Sequence, residues 1–164
     1  MSDIPKVSVQ DMRSVYPSLY VAIANMIVGD PYIAELQSNG EFDFDFLPYS
    51  GINAKYVVPP VSTTPHTKPR LNLVRTSSNI KGINSAQKEW LVGYNVIVQG
   101  LHLRSTVVDQ LAGQLDNLLS DTTFIQEVCG QITSSATQFN YDSVTQTVTA
   151  TLSITVRVTT SRYK

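Results

Sequence analysis

Reactive and metal-binding side chains are scarce in this sequence. Among 164 residues there are one cysteine, Cys129, and two histidines, His66 and His102. A lone cysteine closes no intrachain disulfide, and these three residues are too thin a set for a structural zinc site, so a reducing compartment fits. The eight glycines stand apart at 29, 40, 51, 82, 93, 100, 113 and 130, and none belongs to a phosphate-cradling loop. No cofactor is expected. No run approaches the ~20 apolar residues a bilayer requires, which argues against a membrane partner. Residues 1–6 lack the basic start and apolar stretch of a secretory signal, so the expected location is the compartment of synthesis. Charge is also sparse: Asp, Glu, Lys and Arg make up 15% of the chain, against ~25% in an average soluble protein. Ser, Thr, Asn and Gln fill 52 positions instead, which predicts a neutral, polar exterior.

What is present suits one folded domain over residues 1–164. The chain is 42% hydrophobic, enough to build a core at this length without staples. The net charge of −1 conceals a segregation. Residues 1–45 carry −5, residues 46–88 carry +6 without a single acid, and residues 89–164 carry −2. Segregated charge can join copies of one protein or steer a polyanion, unless folding intermixes the blocks.

Apolar residues at 15, 19, 22, 23, 26 and 27 follow helical spacing, with Ser14 as cap and Pro17 in the first turn. Gly29-Asp30-Pro31 stops that helix and starts a shorter one through Leu36, closed at Asn39-Gly40. Phe42-Asp43-Phe44-Asp45-Phe46 alternates as a strand with its carboxylates in water. Five of the eight prolines fall in residues 47–88, which reads as a loop or arm, with a second soft stretch at 76–85. Trp90, Val92, Tyr94, Val96 and Val98 alternate as a central strand. Residues 106–120 form an amphipathic helix capped by Ser105 or Thr106, and Asp121 caps a helical turn carrying Phe124, Ile125 and Val128.

A β-hairpin closes the chain, with a turn at Asp142-Ser143. Its second arm holds apolar residues at every even position from Val148 to Val158, and Thr, Ser or Arg at the odd ones. Thirteen residues extend ~43 Å, about the width of the whole globule, so the strand either traverses the sheet or projects. The flat, uncharged Thr face lacks the charges that guard a free sheet surface. A cover is expected there, from a helix of the same chain or from a neighbouring subunit. The fold class is therefore α+β: a mostly antiparallel sheet, an N-terminal helix and an amphipathic central helix packed on it, and a C-terminal hairpin.

Catalysis has little support. Asp43 and Asp45 lie ~7 Å apart on one strand with no nucleophile nearby in sequence, and a site around His102, Cys129 and Asp109 requires a tertiary coincidence. The basic segment lacks the interleaved aromatics of a nucleic-acid module, leaving at most nonspecific contact with DNA. The expectation is that the chain is not an enzyme.

Three stretches carry a resemblance to a known family: Ile27-Val28-Gly29-Asp30-Pro31-Tyr32-Ile33; Tyr94-Asn95-Val96-Ile97-Val98-Gln99-Gly100 leading into residues 105–119; and Phe139-Asn140-Tyr141-Asp142 leading into the strand at 148–158. In this order of elements the chain resembles the tail terminator, or tail-completion (head–tail joining), proteins of tailed bacteriophages, over about its first quarter and last half. Residues 41–88 depart from that pattern. The resemblance implies a homo-oligomeric ring, typically a hexamer, that caps the tail tube, stops its polymerisation and docks the head connector. Its partners would be copies of itself, the tail tube protein and the neck protein, in a virion assembled in the host bacterial cytoplasm. Another phage structural role, as a head-completion, connector or tube-initiating subunit, is the alternative. The opposed charge blocks suggest that Lys68, Arg70, Arg75 and Lys81 meet acids of an adjacent subunit or connector, with Asp43 and Asp45 as further residues of the subunit or partner interface.

Overall fold

The computed structural model describes residues 15–45, 68–84 and 87–161. Ser14, Phe46, His66 and most of the Pro-rich segment, read as loop or arm, lie outside the described residues. The chain opens with α1 (Val15–Gly29) and α2 (Pro31–Ser38). Asp30 sits between them in extended backbone, and its Oδ2 accepts the Ile33 N–H at 3.1 Å, capping α2. Asn39 ends α2, and Gly40 follows at φ +76°, a left-handed geometry that glycine adopts at little cost. No single helix among the described residues is long and apolar enough to cross a membrane.

The strands are β1 (Asp43–Phe44), β2 (Arg70–Asn84), β3 (Gln87–Leu101), β4 (Phe124–Ile125), β5 (Gly130–Asp142) and β6 (Thr147–Ser161), and α3 (Ser105–Leu118) lies between β3 and β4. They form one six-stranded sheet in the order β1-β2-β3-β6-β5-β4. Every pairing is antiparallel except β1 with β2, so the α+β, mostly antiparallel class holds. β6 pairs with β3 from Thr147↔Leu101 to Ser161↔Gln87, so the long Thr-rich strand traverses the sheet.

Alternation decides which face is covered. Trp90, Val92, Tyr94, Val96 and Val98 of β3 stand opposite Val158, Val156, Ile154, Leu152 and Ala150 of β6, and all ten side chains are buried. Against this face pack Leu19, Ile23 and Ile27 of α1 and Val108, Leu111 and Leu115 of α3, forming one core. Tyr16 meets Trp90 edge to face at 5.5 Å, and the Tyr20 hydroxyl donates to the Leu73 carbonyl at 3.2 Å. Gln114 of α3 donates to both Asp30 oxygens, at 2.9 and 3.0 Å, tying the α1–α2 junction to the third helix.

Four expectations are corrected. Residues 76–84, read as a soft connection, continue β2. They pair with β3 as far as its first residue, Gln87, and they lack apolar alternation because residues 74–83 are exposed on both faces. The helical turn expected after Asp121 is confined to Gln126–Val128. Phe124 and Ile125 pair instead with Gln131 and Gly130, and Cys129, at φ +51°, ends the turn. Neither Ser105 nor Thr106 caps α3: a 3-10 turn at His102–Arg104 runs directly into the helix, so Ser105 already has helical backbone. The alternating Phe42–Asp45 stretch forms strand only at Asp43–Phe44. Its acids are half-buried, since the segment runs alongside the start of β2.

Candidate interaction surfaces

α1 and α3 both pack on the even-numbered face of β3 and β6, so the opposite face is bare of helices among the described residues. Of the two covers expected for the Thr face, a helix of the same chain or a neighbouring subunit, the described helices do not supply the first: alternation puts their apolar partners on the other side. The bare face presents Asn95, Ile97 and Gln99 of β3 beside Ser153, Thr151 and Thr149 of β6. Its polar groups bond to one another. Ser153 donates to Asn95 Oδ1 at 2.9 Å, and Gln99 Nε2 donates to Thr149 Oγ1 at 3.1 Å. The centre of this face carries no charge, so another protein surface can approach it without displacing ions.

The charged residues singled out in the sequence lie along β2 and the segments beside it, and several meet partners in their own chain. Arg70 donates to Asp45 Oδ1 from Nε at 3.0 Å and from Nη2 at 2.6 Å. Folding thus brings the acidic and basic blocks together here, and the pair presents a nearly neutral surface. The pair borders a hollow of about 330 Å³ also lined by Asn72, Ile97 and Gln99. Arg75 lies over the Tyr16 ring, 4.5 Å from its centroid, a cation–π contact. Lys81 reaches Glu89 at 3.4 Å but stays 66% exposed, so water screens that pair. The Lys68 ammonium lies beside Gly40, and Asp43 is half-buried where β1 joins β2.

His102, Asp109 and Cys129 are not assembled into a site. The His102 N–H bonds to Gln146 at the Thr147 end of β6, whereas Gly130, next to Cys129, packs on Val156 and Val158. That separation is about 30 Å along the strand at ~3.3 Å per residue. Asp109 is exposed on α3. No cluster of three metal-ligating side chains occurs among the described residues.

Sequence reasoning missed an apolar end of the sheet. Leu103 is 92% and Val144 89% exposed, with Phe139 and Tyr141 also largely exposed at the same end, where Tyr141 meets His102 at 5.3 Å. The available signal was Phe139-Asn140-Tyr141, an alternation on the hairpin arm with no helix long enough to cover it.

No known family profile matches the chain, and no curated protein does. Solved structures do share its fold. One is a chain from the virion of a native gene transfer agent (GTA) particle, with a TM-score of 0.59 and 11% identity, the match covering 89% of this chain and 98% of that one.

Proposed function

We propose that the chain is a structural subunit of a phage-type virion and, within it, a tail terminator or tail-completion protein. In this reading copies close into a ring, six-fold in the simplest case, that caps the tail tube, ends its polymerisation and offers a docking surface to the head connector. The observation that carries the reading is the fold shared with a virion chain over nearly the full length of both. Two further features support it. The bare sheet face is uncharged at its centre, suited to contact with protein, and His102 and Cys129, weighed in the sequence as members of an alternative catalytic set, lie near opposite ends of β6. The role is structural and needs no cofactor or turnover.

The charge-mediated part of the subunit contact is narrower than the sequence suggested. Arg70 is neutralised by Asp45, so the contact to acids of a neighbour falls to Lys68, Arg75 and Lys81. The test is the mass of the purified full-length chain by native mass spectrometry, combined with negative-stain imaging after mixing with tail tubes and with filled heads. Closed rings on tube ends are expected. Rings that bind heads alone would move the assignment to a head-completion or connector subunit, and an 18 kDa particle at every concentration would end the ring reading.

A further inference from the structure

Two strand segments lie at the margins of the helix layer: Tyr16 of α1 meets Arg75 and Ser78 of one, and Asp116 of α3 accepts from Thr137 of the other. Residues 74–83 of β2 are all exposed, and in residues 133–142 of β5 only Ser135 and Thr137 are half-buried. Each segment is also outermost in the sheet among the described residues. β1 pairs only with Arg70 and Leu71, and β4 only with Gly130 and Gln131. The next outward groups, at Leu73, are already met by the Tyr20 hydroxyl and the Asn72 side chain. Apolar side chains nevertheless stand in water on both segments: Ile80 and Ile83 are 43% and 48% exposed, and Phe139 and Tyr141 are 60% and 51%. Residues 133–142 contain no Lys, Arg or Pro, the residues that normally blunt a free strand edge.

We infer that copies of this chain join by antiparallel pairing of residues 74–83 of β2 in one copy with residues 133–142 of β5 in the next. The inference rests on the ring reading above and specifies its interface. The topology permits it directly. β2, β3, β6 and β5 alternate in direction, so β5 runs opposite to β2, and a second copy laid alongside with the same face outward continues the alternation. The contact is heterologous, using two different edges, as a closed ring demands.

The stagger also fits. Traced through the ladder, the middle of 74–83 is level with residues 156–157 of β6, and the middle of 133–142 is level with residues 151–152. Pairing the segments centre to centre therefore shifts each copy by about five residues, or ~16 Å, over a four-strand width of ~19 Å. If copies sit at equal height around a ring, that shift tilts the strands by about 40° from the ring axis, inside the ~35–45° of closed sheets. The charges agree in sign. The β2 segment carries Arg75 and Lys81 and no acid, whereas the β5 segment carries Asp142 and lies beside Asp116, which accepts from Thr137. Centre-to-centre pairing sets Arg75 next to Tyr141 and Asp142.

Amide hydrogen exchange of the unmodified full chain tests this without any variant. Exchange across both segments should slow by at least ~10-fold between dilute monomer and assembled ring. In a Cys129→Ser background, Thr76→Cys with Asn140→Cys should give a ladder of covalent oligomers on oxidation, while either cysteine alone should give at most dimers. Rings that form without protecting both segments, or without the ladder in a folded double variant, overturn the pairing and leave the ring standing. Protection independent of concentration overturns it too, because the edges would then be covered within one chain. Protection of one segment only overturns it as well, because a closed ring of this pairing buries both edges in every copy. A chain that never assembles removes the pairing together with the ring.

Discussion

The bond between Trp90 and Thr160 offers a test of how the far end of the sheet is held. Trp90 is 6% and Thr160 2% exposed, and the indole Nε1–H donates to Thr160 Oγ1 at 2.8 Å. Tyr16 packs against the indole edge to face, so this pair anchors the start of α1 on β3 and β6. Thr160→Val keeps the shape but leaves a buried indole N–H without its acceptor, which costs about 1–3 kcal/mol. Trp90→Phe strands the Thr160 hydroxyl and also opens space, for about 2–4 kcal/mol in all. The double variant strands neither group, so it should be less destabilised than the sum by about 1–2 kcal/mol. Urea denaturation followed by far-UV circular dichroism measures all four corners, because Trp90 is the sole tryptophan and its fluorescence is lost in two of them. A thermal scan should agree, at about 2–4 °C per kcal/mol for a chain of this size. A coupling under ~0.3 kcal/mol, the level of additivity expected for independent sites, would refute the reasoning.

Three further perturbations probe other joints. Asp30→Ala removes both the α2 cap and the acceptor for Gln114, and should cost about 1–3 kcal/mol in denaturation midpoint, with Asp30→Asn recovering part of it. Gly130→Ala would set a methyl 3.0–3.3 Å from methyl carbons of Val156, Val158 and Val128, so overpacking should lower stability by about 1–3 kcal/mol in the same assay. Arg70→Met should shift stability by no more than about 1 kcal/mol, since both members of the Asp45 pair are over a fifth exposed. Arg75→Glu with Lys81→Glu should leave circular dichroism unchanged yet reduce ring formation in native mass spectra, most strongly at low salt; intact rings would remove the charge contribution to the contact.

Much of the fold was legible from local pattern. The helix over residues 15–29, the Asp30-Pro31 restart, the core helix at 105–118 and the even-numbered apolar stripe of residues 148–158 follow from periodicity, which reports the buried face whenever a face is buried. The lower half of β2 escaped for the complementary reason. Residues 74–83 bury no side chain in the core, meeting it only at its margin where Arg75 and Ser78 contact Tyr16, so no apolar alternation marks them as strand, and the backbone ladder to β3 makes them one. Asp43 and Asp45 looked like a wet acidic face because their neighbour Arg70 lies 25 residues away from Asp45 and reaches it only through the parallel β1–β2 pairing.

By itself the sequence determined the composition of the exterior, the two apolar faces that had to meet, and the α+β class, since these depend on spacing along the chain. Tertiary structure alone decided that α1 and α3 lie on one side of the sheet, leaving the Thr face bare among the described residues, that Arg70 is neutralised within its own chain, and that residues 74–83 and 133–142 lie exposed at opposite corners. Those outcomes depend on strand order and register, which bring distant residues together by backbone hydrogen bonding and therefore leave no periodic trace in the local sequence.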